Sequence, residues 1–113
     1  MTGDQYQKIT SGPQTLDFGT VFVKSTTVKT FRVVNDLRQS IFVKVDIDPD
    51  VMPEIANSTP LTQVIPEGQE AGFDIVFRAE RPNNYNYPVR YFINGSDQPF
   101  MFLVKAKAEL VSL

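Results

Sequence analysis

Ile41-Phe42-Val43-Lys44-Val45-Asp46-Ile47-Asp48 places Ile41, Val43, Val45 and Ile47 on one parity and Lys44, Asp46 and Asp48 on the other. A repeat of two residues is that of an extended chain, whose side chains point alternately to opposite sides. A helix would spread the same four apolar residues over both of its flanks. The stretch therefore reads as a half-buried strand with β-branched residues inward and charge outward.

Outward from it the same period recurs. Thr27 to Asn35 puts Phe31 and Val33 inward, and Gly72 to Arg78 puts Phe73, Ile75 and Phe77 inward. Shorter runs at Leu16 to Val23 and Leu61 to Ile65 read as strands, as do Val89 to Ile93 and Phe100 to Leu110. Turn chemistry separates them: Asn35-Asp36, Pro66-Glu67-Gly68, Arg81-Pro82-Asn83-Asn84, and Asn94 to Pro99 as the loop of a C-terminal hairpin. Pro88 lacks a ladder donor, so the sixth strand is expected to begin after it. No helix is expected. About seven strands at this spacing predict an all-β Greek-key sandwich.

With 113 residues the chain matches the ~100–150-residue mode for one core, so residues 1–113 are expected to form a single domain. Nine Phe supply much of that core, and the absence of Cys excludes disulfides and thiolate metal sites. Residues 1–45 carry six Lys/Arg against three Asp/Glu, 46–80 one against eight, and 81–113 four against two. An acidic middle and a pI near 5.0 argue against nucleic acid as partner, since phosphate binding begins with clustered Lys/Arg. The opening Met1-Thr2-Gly3-Asp4-Gln5 lacks signal-peptide character, and no apolar run approaches the ~18 residues of a membrane helix. A soluble, intracellular module without membrane insertion is expected. The sequons Asn57-Ser58-Thr59 and Asn94-Gly95-Ser96 would matter only on export.

Leu16-Asp17-Phe18-Gly19-Thr20-Val21-Phe22-Val23-Lys24-Ser25, followed by Phe31-Arg32-Val33-Val34-Asn35, resembles the opening of ASH or hydin-like domains, relatives of major sperm protein and PapD. Val64-Ile65-Pro66-Glu67-Gly68 leading into Phe73-Asp74-Ile75-Val76-Phe77 continues the likeness, as does Tyr91-Phe92-Ile93-Asn94-Gly95 with Phe102-Leu103-Val104-Lys105-Ala106. It runs from about Leu16 to Ala108. The resemblance implies an immunoglobulin-like sandwich and a scaffold role in an axoneme or centrosome, within the cytoplasmic cytoskeleton, commonly as one of several such domains in a long chain. Gly19 is expected where the first strand switches sheets, and Asn35 is expected to bond the backbone of the turn it starts.

Catalysis is not expected. Without His or Cys the commonest nucleophile and base pairings are missing, and no Gly-rich phosphate loop is present. No cofactor is implied. Asp46-Ile47-Asp48-Pro49-Asp50 invites comparison with a calcium loop, but Val51 and Asn57 occupy the places that need Gly and Glu, so a solvated strand end is the plainer reading. Tyr85-Asn86-Tyr87 reads as a turn whose rings cap the core.

The site-like feature is an outer face. If Ile41/Val43, Tyr91/Ile93 and Phe102/Val104 point inward on one shared sheet, then Phe42, Phe92, Met101 and Leu103 must point outward, rimmed by Lys44, Arg90 and Lys105. Such a patch predicts a protein partner, cytoskeletal or axonemal by the family resemblance. Self-association through the same sheet, as in major sperm protein, is the alternative. An unpaired sheet edge offers a second route, by strand addition.

Overall fold

Apolar faces on several strands must be covered, and the chain covers them by packing two sheets against each other. In the computed structural model, which describes residues 3–111, the elements are helix α1 (Gly3–Tyr6), β1 (Ile9–Gly12), β2 (Thr15–Phe22), β3 (Thr27–Asn35), β4 (Ile41–Asp46), a 3₁₀ turn (Pro53–Ile55), β5 (Thr62–Ile65), β6 (Glu70–Phe77), β7 (Asn83–Ile93) and β8 (Phe100–Glu109). One sheet has the order β1-β3-β6 and the other β2-β8-β7-β4-β5. The β2–β8 pair is parallel, and the other pairs are antiparallel. This is an all-β, immunoglobulin-like sandwich of eight strands.

The inward parity holds throughout: Ile41, Val43, Val45, Ile47, Phe31, Val33, Phe73, Ile75 and Phe77 are all buried. Rings join the two sheets. Phe31 of β3 stacks on Phe102 of β8 at 4.1 Å, and Phe77 of β6 meets Phe18 of β2 at 5.5 Å. Burying such a side chain stabilises the fold by roughly 1.5–3 kcal/mol, so these pairs are a principal tie between the layers.

Four local expectations need correction. First, β7 begins at Asn83, six residues before Val89, and contains Pro88. Pro88 lies opposite Leu103, whose own N–H turns away to Gln14 O at 2.8 Å on the β2 side. That pair therefore exchanges no main-chain bonds. The Pro88 nitrogen faces the other flank, two residues beyond the Asp46–Arg90 end of the β4 ladder, so its missing donor costs no ladder bond.

Second, the sheet switch occurs between β1 and β2 at Gly12-Pro13, and Gly19 serves a bulge instead. The β2–β8 register slips between Asp17 and Thr20, Gly19 takes φ +66°, and Asp17 Oδ1 accepts its N–H at 2.8 Å. Third, Tyr85 and Tyr87 do cap the core, but from within β7; the Tyr85 ring meets Phe77 edge-on at 5.4 Å. Fourth, α1, the 3₁₀ turn and β1 are additional elements. Their short runs carry too few apolar residues to show a period; Tyr6 of α1 docks on Phe100 at 5.5 Å.

Asn35 does more than start a turn. It is fully buried, its Oδ1 accepts the Leu37 N–H (3.0 Å), and its Nδ2 donates to Gln39 O (2.8 Å), Ile65 O (3.0 Å) and Pro66 O (3.2 Å). One amide thus holds the β3–β4 turn and pins the end of β5 in the opposite sheet.

Candidate interaction face

The pleat decides which side chains leave the sandwich on the five-stranded sheet, and the register decides which of them are neighbours. Phe42 lies opposite Val64, Lys44 is flanked by Thr62 and Phe92, Arg90 by Asp46 and Met101, and Leu103 by Pro88 and Thr15. Directly opposed residues have Cβ atoms roughly 4.5–5.5 Å apart and diagonal ones roughly 7–8 Å. Read diagonally, Val64, Phe42, Phe92, Met101, Leu103 and Pro88 form one oblique band crossing β5, β4, β7 and β8.

All four apolar residues expected on this face are on it. Phe42 is 43% and Met101 50% exposed, while Phe92 and Leu103 are half-buried. Lys44, Arg90 and Lys105 are exposed, Lys44 and Arg90 interleaving with the band and Lys105 at its lower end. Arg90 pairs with Asp46 at 3.4 Å; both are well exposed, so the pair contributes at most ~1 kcal/mol and leaves the face open to exchange partners. Val64, 65% exposed, extends the band by one strand. The sequence carries its signal, because Ile65 inward forces Val64 outward, but which sheet β5 joins is set by long-range pairing.

Away from this face, an open depression of about 380 Å³ is lined by Pro53, Glu54, Val76, Arg78, Glu80 and Tyr85, among others. Several of the polar groups in and beside it are engaged. The Tyr87 hydroxyl donates to Glu54, Arg78 pairs with Glu80 at 3.1 Å, and the Tyr85 hydroxyl donates to Arg81 O at 2.8 Å. Burial raises the Tyr87 phenol above its ordinary value, and the Glu54 carboxylate adds to the shift by accepting its hydrogen bond and by charge; burial and Glu54 raise Tyr85 as well. Asp48 Oδ1 accepts the Asp50 N–H at 2.9 Å, making the acidic run a self-closed turn, and among the described residues no three potential metal ligands converge.

The structure superposes on the ASH/PapD-like domain 7 of human CEP192 with a TM-score of 0.74, covering 99% of this chain and 92% of that one at 11% identity. The fold is ASH/PapD-like. An ASH/PapD-like sandwich also describes its match to WR4, a major sperm protein family member of C. elegans: TM-score 0.56, 13% identity, 90% of this chain and 98% of that one. By sequence the chain is similar to cilia and flagella-associated protein 47 of Mus musculus, 27% identical over 95 residues. That match covers 84% of this ASH/PapD-like chain and 3% of the mouse protein's length. No family model matches. Among the described residues no helix is long and apolar enough to cross a membrane.

Proposed function

We propose that the chain is a non-catalytic structural and protein-binding module of a cilium- or centrosome-associated cytoskeletal protein, meeting a protein partner through the outer face of its five-stranded sheet. The observation that carries this reading is the oblique band of Val64, Phe42, Phe92, Met101 and Leu103, set among the cations Lys44, Arg90 and Lys105. Apolar groups left contiguous on an otherwise charged surface are where a second protein gains most from excluding water. The ASH/PapD-like fold supports a structural or interaction role, and the similarity to a cilia and flagella-associated protein supports the placement. On this reading residues 1–113 form one domain of a longer chain, located in the axoneme or centrosome, with no cofactor and no nucleic acid. The alternative reading has the same face contacting a second copy.

The test pairs Phe42→Lys with Met101→Lys, the two most exposed of the expected residues, in a pull-down from ciliated-cell extract beside the intact module. Loss of captured axonemal or centrosomal proteins with an unchanged Tm is expected, because neither side chain fills the core. Retention of every partner by the double variant refutes the face. Sedimentation over a concentration range separates the readings: a persistent monomer favours a foreign partner, and growth favours self-assembly.

A further inference from the structure

Four strands end the two sheets: β1 and β6 in the smaller, β2 and β5 in the larger. An unpaired edge invites another strand unless something blocks it, and three of the four are blocked. Along β6, Gly72 O accepts Gln63 Nε2 (2.6 Å) and Asp74 O accepts the Thr59 N–H (3.2 Å), while Val76 N–H donates to Ser58 Oγ (2.9 Å) and Arg78 N–H to Glu54 O (2.9 Å). The β2 edge is broken by the Gly19 bulge, with Asp17 occupying the Gly19 N–H. On β1 the outward Ser11 carbonyl accepts Gln14 Nε2 at 3.2 Å, and the chain leaves the sheet at Pro13.

β5 is short and bounded by Pro60 and Pro66, which lack donors, but between the two prolines no group among the described residues covers its edge. Val45 N–H donates to Leu61 O at 2.7 Å, and the register sets Val43 opposite Gln63 and Ile41 opposite Ile65, so the odd-numbered residues turn their main chain to β4. Thr62 and Val64 therefore present N–H and C=O to the open side, two residues apart. Only another extended main chain offers acceptors and donors at that repeat. Charge chooses whose. β5 sits within the segment 46–80, which carries eight carboxylates and one cation; Asp48 and Asp50 follow the end of β4 beside the start of β5, Glu67 follows the end of β5, and these carboxylates outnumber Lys44, the cation opposite Thr62. A second copy paired antiparallel would set Asp48 and Asp50 of one molecule against Glu67 of the other, which repels. An apolar residue at the centre of the incoming strand would lie beside the exposed Val64–Phe42 pair.

We infer that β5 is an acceptor edge for strand addition by a basic, extended segment of another protein, carrying an apolar residue at its centre and Lys or Arg at its flanks. The main-chain pairing is independent of binding on the outer face, while the apolar contact shares Val64 and Phe42 with that face.

The probe is the peptide acetyl-Lys-Arg-Thr-Thr-Val-Thr-Thr-Arg-Lys-amide, with a counterpart in which Glu replaces each cation, followed by amide NMR and hydrogen exchange on the whole chain. The basic peptide is expected to slow exchange of the Thr62 and Val64 amides by roughly tenfold or more at saturation, and the acidic one to leave them unchanged. Val64→Pro removes an outward N–H that no ladder bond uses and should abolish this binding. Asp50→Lys with Glu67→Lys leaves the β5 main chain intact and should weaken the basic peptide several-fold, roughly tenfold at low salt. The inference is overturned if the basic peptide leaves Thr62 and Val64 unprotected, or if the acidic peptide binds equally well. It is also overturned if the two amides become protected by raising the protein concentration alone, which would identify a second copy. Shifts confined to Phe42, Phe92 and Leu103 would likewise overturn it while leaving the outer-face reading intact.

Discussion

Replacing Asn35 tests how the two sheets are held in register. Its amide carries two hydrogens shared among Gln39 O, Ile65 O and Pro66 O, and one oxygen that takes the Leu37 N–H, all at 2.8–3.2 Å in a fully buried site. Asn35→Ala removes about three bonds, each worth about 1 kcal/mol net, and leaves the buried Leu37 N–H without a partner where water reaches poorly, at about 1–3 kcal/mol. Some of those costs overlap, so the expected loss is about 3–5 kcal/mol, a large share of the 5–15 kcal/mol typical of a domain. That corresponds to a fall of roughly 12–20 °C in Tm. Asn35→Asp sharpens the test. It keeps the acceptor for Leu37 but turns an oxygen toward carbonyl oxygens, which disfavours the charged form and raises the folded-state pKa above the unfolded ~3.9. Between those two values the unfolded state holds fewer protons, so stability falls as pH rises from about 4, and the full penalty is present once the folded-state group has ionised. Urea unfolding followed by circular dichroism and by fluorescence of the four Tyr, there being no Trp, measures both variants. Relative to wild type at each pH, the Asp variant should lose less at pH 4 than at pH 7. An Ala variant within about 1 kcal/mol of wild type, or an Asp penalty that ignores pH, would refute the clamp.

Two further tests address the core and the tyrosines. Phe31→Ala removes the ring stacked on Phe102 at 4.1 Å and should cost about 3–5 kcal/mol in chemical denaturation; a cost near 1 kcal/mol would show that the sheets collapse onto the gap. The Tyr87 phenol is held protonated in the fold by burial and by Glu54, so the stability it brings is present below the unfolded value of about 10 and declines as pH rises through the folded one. Tyr87→Phe should lower Tm modestly at pH 8 and flatten its fall between pH 9 and 11, and parallel curves for variant and wild type would sink the assignment.

How far the residues alone carried the reading depends on whether a property follows from parity. Ile41 to Asp48 and Thr27 to Asn35 declare their inward faces because successive side chains in an extended chain must go to opposite sides. The outward direction of Phe42, Phe92, Met101 and Leu103 followed from the same rule once their strands were placed in one sheet. The sandwich class and its ASH/PapD-like character were likewise legible. Pro88 misled because a missing donor is costly only on the side where a partner strand lies, and which side that is belongs to the ladder. Asn35 showed its turn but not its hold on Ile65, since a contact across thirty residues leaves no local mark.

Strand pairing is non-local, and only the assembled structure decided it. It placed Val64 beside Phe42, sealed β6 behind residues 54–63, bent β2 at Gly19 and left the Thr62 and Val64 main chain uncovered. Side-chain periodicity is a property of each strand by itself, so the sequence determined the inside and outside of this protein. Neighbours and free edges depend on which strands meet, and that is settled by packing distant segments together.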